Sequence, residues 1–335
     1  MSKKFTYQEL SKISGISIST ISRVLNKSPM VKEDTRRKVL DSLASFGVDV
    51  AEYNLALSPS DNLIIFNVPS LKNPFYLPIV EAARNSAYIH GYSLLINEDP
   101  LDDDTIESFL RLLKKSRAVG LICCNSISQK NLKKLADSIP TVTCCEAEYS
   151  SLVPFVSIDD ENASYNAVRY IASIGKKRIA MINGPESFKY ARERFKGYLK
   201  ALEDENIAFD SSIVSSVGAD MDFEAAKALA IHMLNSSNPP DAFFCISDVL
   251  AAAAIKASLE RGYKIPSDIA VVGFDNIIIS QIMNPTITTV HQPTSQIGSI
   301  ALEMLVKLIN KDCDFLNTIH LNTELIIRES TTEKR

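Results

Sequence analysis

The chain has 335 residues, 46% hydrophobic and 23% charged, with a net charge of −4. It is long enough for two or three domains around sizeable cores. No apolar run approaches the ~20 residues that span a bilayer, and "MSKKFTYQEL" has neither the apolar core nor the small-residue cleavage site of a secretory signal, so a cytoplasmic protein is expected. Residues 1–46 carry nine basic against four acidic side chains, a net +5, so the remainder carries −9. A basic module for polyanions on an acidic body fits that asymmetry, and so does a solvated charged face.

In chain order, "TYQELSKISGISISTISRVLNKS" reads as two short helices around a tight turn at Gly15. Thr6 and Glu9 can form a capping box, with Leu10 and Ile13 pointing inward. Ser17 caps the second helix, whose Ile21, Val24 and Leu25 face the core while Ile18, Ser19, Ser22 and Arg23 face away. This is helix-turn-helix spacing, which lays the second helix in the major groove. Hydroxyls near a helix N-terminus hydrogen-bond phosphates, and Arg23 can reach a guanine edge. "VKEDTRRKVLDSLASFG" adds a third helix that ends at Gly47, with Val39, Leu40, Leu43 and Phe46 closing a three-helix core.

"ELSKISGISISTISRVLNKSPMVKEDTRRKVLDSLASFG" resembles the DNA-binding headpiece of the lactose-repressor (LacI/GalR) family. The resemblance implies base reading by Ile18, Ser19 and Arg23, and mainly backbone contacts by Ser17, Thr20, Ser22 and Asn26. It places the headpiece at 1–46 and a hinge at 47–61. There Leu57 occupies the position of the family's minor-groove leucine, an apolar wedge that bends DNA. The hinge departs from the family pattern: it has Val50, no Lys or Arg between Lys38 and Lys72, and the acidic Asp49 and Glu52. A weak hinge, or one ordered only on DNA, is therefore expected; a plain linker is the alternative.

From Leu63 onward, β-like runs ("NLIIFNV", "YSLLIN", "VGLICC", "PTVTCC", "FVSID", then "RIAMING", "AFFCIS", "IAVVGFD") alternate with helical ones, such as about Leu77 to His90 and Asp103 to Lys115. Regular alternation predicts parallel sheets in two similar lobes, with ligands bound outside the carboxyl ends of the strands. The six cysteines end such runs or stand alone; neighbours in a strand point to opposite faces, so Cys123-Cys124 and Cys144-Cys145 read as small buried hydrophobes rather than disulfides or metal ligands.

"NPFY", "RFKGY", "PPDAFFCISD", "IPSDIAVVGFDN", "TTVHQP" and "ELIIREST" extend the resemblance to the family's effector domain, similar to periplasmic sugar-binding proteins. The implied fold is an N-terminal all-α helix-turn-helix headpiece plus an α/β effector domain over 62–335 of two doubly wound parallel-sheet lobes. One lobe takes about 62–159 and 292–320, the other about 160–290 and 321–331. By position, Phe75 and Tyr76 match a ring-stacking wall, Arg194 the arginine that binds ligand hydroxyls, and Asp275 the carboxylate that accepts from them. Ser247 and Asp248 open a helix bordering the cleft. Structural alternatives are a helix N-cap for Asp275 and an inter-lobe salt bridge for Arg194. Asp220 stands where some relatives place an aromatic, Phe188 where the purine-binding type has an arginine, and Cys145 where many sugar-binding members have an aspartate. The stretches around these positions look closest to the cytidine-type repressors, so a nucleoside is favoured, with a sugar next.

There is no phosphate-binding glycine motif or nucleophile elbow, and His90, His232, His291 and His320 are scattered, so no enzyme, cofactor or metal is expected. A solute-binding protein would share the body but would not need the headpiece. The expected partners are a near-palindromic double-stranded operator, a small effector and a second copy of the chain, with no membrane contact. No heptad tail follows "ELIIREST", so a tail-mediated tetramer is not expected.

Overall fold

The computed structural model describes residues 7–25, 31–45, 62–146, 152–312 and 318–332. The headpiece helices belong to one compact unit and residues from Asn62 onward to a second. In the first, α1 (Tyr7–Ser14), α2 (Ile18–Leu25) and α3 (Glu33–Ser45) enclose Leu10, Ile21, Val24, Val39 and Leu43. Gly15, at φ +68, makes the turn in a left-handed conformation that a side chain would strain.

Ile13 does not join this core: it is 57% exposed. The inner side of α1 runs through Leu10 and Ser14, four residues apart, and the Ser14 hydroxyl donates to the Leu10 carbonyl at 2.7 Å. Ile16, beyond the turn, packs against the core instead. Thr6, Phe46 and Gly47, and the side chain of Leu25, lie outside the described residues.

Among its described residues the larger unit holds two six-stranded sheets. The first contains β1 (Leu63–Asn67), β2 (Ser93–Asn97), β3 (Ala118–Cys123), β4 (Thr141–Cys144), β5 (Phe155–Ile158) and β11 (Thr318–Leu321), all parallel, in the order β11-β5-β4-β3-β1-β2. The second contains β6 (Ile179–Asn183), β7 (Val214–Ser216), β8 (Ala242–Cys245), β9 (Ala270–Asp275), β10 (Thr288–His291) and β12 (Glu324–Ile326), in the order β12-β10-β9-β8-β6-β7. Only β12 runs antiparallel, against β10. In each sheet the order reverses beside the first strand of the lobe, the position that opens a crevice at the carboxyl ends.

Both faces of β1 are buried: Ile64 and Phe66 point to one cluster and Ile65 to the other. That is why its sequence is continuously apolar rather than alternating. In the first lobe the covering helices are α4 (Tyr76–Ile89), α5 (Ile106–Ser116), α6 (Gln129–Ser138) and α12 (Thr294–Asn310). The second lobe uses α7 (Asp160–Ser173), α8 (Lys189–Asp204), α9 (Phe223–Leu234), α10 (Asp248–Glu260) and the short α11 (Ile278–Ile282). The chain thus passes between lobes three times, after β5, after β10 and between β11 and β12. α7 and α8 approach so closely that a Cβ on Gly197 would collide with the Glu161 carbonyl oxygen.

Cys123, Cys124, Cys144 and Cys145 are free thiols in or against the apolar clusters, as read, but the opposite-face geometry holds for only one of the two pairs. Cys123 and Cys124 pack into opposite clusters. β4, however, ends at Cys144, and Cys145 turns left-handed at φ 67, which folds its Sγ back to 3.8 Å from that of Cys144.

Candidate functional site

The start of α2 is a compact hydroxyl network. Ser17 Oγ accepts from the Thr20 N–H at 3.3 Å, capping the helix, and lies 3.0 Å from Ser19 Oγ and 2.9 Å from Thr20 Oγ1. Ile18 is 43% exposed, Ser19 and Arg23 are exposed, and Thr20 is half-buried. One side of α2 is therefore locked to the core by Ile21 and Val24, and the other presents polar groups to solvent. The side chain of Ser22, and Asn26 and Leu57 altogether, lie outside the described residues.

In the larger unit, strand ends and helix starts from both lobes converge on one cleft. Asn73, Phe75 and Tyr76 come from the segment after β1, Cys145 from the end of β4, and Ser157 and Ile158 from β5. The second lobe contributes Asp160, Tyr190, Arg194, Met221, Ile246 and Asp275. Gln292 and Ile297 follow the β10 crossing. Asn73 Oδ1 accepts from the Phe75 N–H at 3.1 Å, fixing the turn that presents the Phe75–Tyr76 pair, whose rings meet edge to face at 5.2 Å.

A buried ionic cluster forms the floor. Arg194 donates to Asp160 Oδ1 from Nε at 2.9 Å and Nη2 at 2.8 Å, and from Nη1 to the Ile246 carbonyl oxygen at 2.7 Å. Its guanidinium lies 3.6 Å above the Phe274 ring, a cation–π contact. Lys189 Nζ adds a further bond to Asp160 at 3.2 Å and pairs with Glu193 at 2.7 Å. Asp275 Oδ1 stands 4.0 Å from Arg194 Nη1 and accepts from Gln292 Nε2 at 2.7 Å. Burial pushes the Asp275 carboxyl up to about 7 even though Arg194 and Gln292 hold it down. Opposite, Glu146 accepts the Lys189 and Tyr190 N–H groups at 2.8 and 3.3 Å, a first-lobe carboxylate on the start of second-lobe α8, and burial pushes it up to about 8. Between these groups remains a cavity of about 20 Å³, room for roughly one water.

Five of the eight residues expected at a ligand site thus share the cleft: Phe75, Tyr76, Cys145, Arg194 and Asp275. Three do not line it. Ser247 caps α10, its hydroxyl accepting from the Val249 N–H at 3.2 Å. Phe188 is buried behind Tyr190, ring to ring at 5.3 Å, so Tyr190 faces the cleft. Asp220 yields to Met221, whose left-handed backbone at φ 54 brings it to the lining. Asp248, read with Ser247, is buried and accepts from the Ile277 N–H at 2.8 Å. Sequence reasoning missed Asp160, Tyr190, Glu146 and Gln292. Asp160 and Gln292 sit beside the lobe crossings, a signal that could have found them.

The architecture defines a class: a helix-turn-helix unit joined to a two-lobed α/β unit with a cleft at the carboxyl ends of its strands. The model of bacterial regulatory proteins of the lacI family matches residues 6–47, and that of periplasmic binding proteins and the sugar-binding domain of the LacI family matches 61–329. The chain is 32% identical to the HTH-type transcriptional regulator RegA of Clostridium saccharobutylicum, with 97% of this chain and 98% of that one covered. It is 31% identical to the HTH-type transcriptional repressor PurR of Photorhabdus laumondii, over 98% of this chain and 97% of the other. The lac repressor dimer bound to operator and the anti-inducer ONPF shares the fold at a TM-score of 0.76, 24% identity, and coverage of 98% and 99%. The chain belongs to the LacI family: it is a DNA-binding transcriptional regulator with a ligand-binding domain, not an enzyme. Among the described residues no helix is long and apolar enough to cross a membrane.

Proposed function

We propose that the protein is a cytoplasmic repressor that binds a near-palindromic operator as a homodimer and is controlled by a neutral, hydroxyl-rich ligand, a nucleoside before a sugar. The headpiece is 1–46 and the hinge 47–61, with Ile18, Ser19 and Arg23 reading bases and Ser17, Thr20, Ser22 and Asn26 holding phosphates. Leu57 serves as the minor-groove wedge.

The observation that carries the ligand reading is the convergence of Arg194, Asp275 and the Phe75–Tyr76 pair at the carboxyl ends of both sheets. Paired charged groups with an aromatic wall suit hydroxyls on a flat or ring-shaped ligand. In the closed cleft Arg194 and Asp275 are satisfied by internal partners, so a ligand enters as the lobes part and replaces the Gln292–Asp275 bond. The coupling between lobe angle and headpiece spacing is a reciprocal free energy. Exposed apolar side chains on both lobes, Tyr88, Ile89 and Leu95 on one and Ile278, Ile282 and Ile327 on the other, support a second copy as partner.

The test is a thermal-shift screen of the full chain against nucleosides, nucleobases and sugars. An effector at a hundred times its Kd adds roughly 2.7 kcal/mol of stability. A nucleoside hit supports the reading, a sugar hit replaces the ligand class, and silence from all three removes the effector assignment. Asp275→Ala abolishes the response while sparing operator binding; an unchanged response takes that residue out of the site.

A further inference from the structure

Three cysteines gather at one corner of the cleft; Cys145 belongs to the ligand lining, but nothing in the proposed ligand reading uses its thiol chemistry or the two cysteines behind it. β3 and β4 pair in the register Cys123↔Thr143, so Cys124 and Cys144 follow at the ends of neighbouring strands, and both belong to the same buried cluster. The left-handed turn at Cys145 brings its Sγ to 3.8 Å from that of Cys144, and Cys145 packs against the cluster that holds Cys124 and Cys144. Of the three, only Cys145 is not fully buried, and it lines the cleft. Burial opposes ionisation of Cys144, but the neighbouring Cys124 and Cys145 thiols outweigh it and lower Cys144, while Cys124 and Cys145 are themselves held up, so the trio shares one thiolate and Cys144 carries it at rest. Cys123 and Cys245 differ from Cys144: burial pushes both thiols up, with Glu146 adding to it at Cys123 and Asp248 at Cys245.

We propose that this corner is a hydroperoxide-responsive thiol site, in which Cys145 takes the oxidant from the cleft and Cys144 resolves the product as a disulfide. The Cys144 thiolate takes the Cys145 proton, and the Cys145 thiolate so formed attacks one hydroperoxide oxygen. The O–O bond breaks, the departing oxygen takes that proton back from Cys144, which is again a thiolate, and Cys145 becomes a sulfenic acid. The Cys144 thiolate then attacks the Cys145 sulfur; the S–S bond forms, the S–O bond breaks, and hydroxide leaves as water on protonation. Two thiols give up two electrons, and the hydroperoxide ends as water and an alcohol, or as two waters.

Adjacent residues have Cα atoms about 3.8 Å apart, below the usual disulfide span of about 4.4–6.8 Å, so the product is readily reduced, a switch rather than a staple. Its leverage lies next door. Glu146 holds the first N–H groups of α8 across the lobes, and the Cys145 carbonyl accepts from Ser157 Oγ at 3.0 Å. Reorienting the Cys144–Cys145 peptide therefore moves the Glu146 carboxylate off α8. None of this depends on which ligand the cleft takes.

The test treats the reduced full chain with equimolar hydrogen peroxide, denatures it in iodoacetamide and maps the tryptic peptides by mass. The peptide with Cys144 and Cys145 should return unalkylated and lighter by two hydrogens, with alkylation restored by dithiothreitol, while Cys123, Cys124 and Cys245 remain alkylated. In Cys144→Ser the reaction should stop at a sulfenic acid on Cys145, trapped by dimedone. Hydrogen exchange at Lys189 and Tyr190 should quicken on oxidation of the wild-type chain. Full alkylation of Cys144 and Cys145 after peroxide, or a disulfide that recruits Cys124, overturns the proposal; if Cys144→Ser fails to fold, the wild-type map decides alone.

Discussion

Arg194 and Asp160 form a two-bond ion pair, with Nε and Nη2 of the arginine both donating to Asp160 Oδ1 at 2.9 and 2.8 Å, and both side chains are almost completely buried. Asp160 opens α7 and Arg194 lies in α8, two helices pressed together at Gly197. The arginine is thereby aimed at the cleft by a partner that sequence reading had not named. A buried guanidinium held on one side by a carboxylate and facing Asp275 on another is preorganised for a ligand rather than free to search for one.

Asp160→Asn should leave Arg194 and Lys189 buried without their carboxylate. Loss of one partner of a buried pair costs about 3–5 kcal/mol, far more than the pair itself contributes. Urea unfolding of the full chain followed by circular dichroism measures it. A loss below about 1 kcal/mol would show that the cations find other partners.

Asp275 makes stability depend on pH in a fixed direction. Burial raises its carboxyl to about 7, whereas the unfolded chain releases that proton near pH 4. Its contribution is therefore complete below about pH 4 and is lost as the pH rises through about 7. Asp275→Asn removes this loss, so the variant should gain on the wild type between about pH 5 and pH 8, by at most about 4 kcal/mol. Glu146, raised to about 8 by burial, is present in both chains and cancels. Parallel urea midpoints across that range decide it; a constant difference rejects the assignment.

Gly197→Ala places a methyl group against the Glu161 carbonyl and the Tyr165 N–H. Backbone atoms cannot swing aside as a flexible side chain can, so α7 and α8 must separate. An overpacking cost of about 1–3 kcal/mol is expected, visible as a lowered Tm. Separation would also lengthen the Arg194–Asp160 pair, so Asp160→Asn and Gly197→Ala should combine non-additively.

Arg23→Ala should weaken binding to the specific operator by about 1–3 kcal/mol and change random-sequence binding little. Fluorescence anisotropy on both DNAs makes the comparison, at one fixed salt concentration because phosphate contacts are salt-dependent. Equal losses on the two DNAs would reassign Arg23 to phosphate.

Ile282→Asp should shift the protein from dimer to monomer in sedimentation, since a charge at an apolar interface loses its hydration without gaining a partner. Ile282 is 70% exposed in the single chain, so its replacement should leave the fold intact. An unchanged sedimentation coefficient would move the interface elsewhere.

Sequence alone determined the parts whose physics is local. The hydroxyl-capped second helix, the apolar runs of β1, β3, β6, β8 and β9, and the two-lobed alternation follow from periodicity and burial of both sheet faces. β7, β10, β11 and β12 escaped: β7, β11 and β12 are at most half-buried and so carry no continuous apolar run, and β10 has Val290 as its one aliphatic residue. Ile13 misled because spacing of three residues fits either edge of a helical stripe, and only the packing of α2 and α3 selects one. The tertiary structure alone decided which neighbour in a run faces the cleft: Tyr190 rather than Phe188, Met221 rather than Asp220. It also joined Asp160 to Arg194, Glu146 to α8 and Cys145 to Cys144. Each depends on a left-handed residue, a strand end or a helix contact between segments distant in the chain, and no local pattern records where such segments meet.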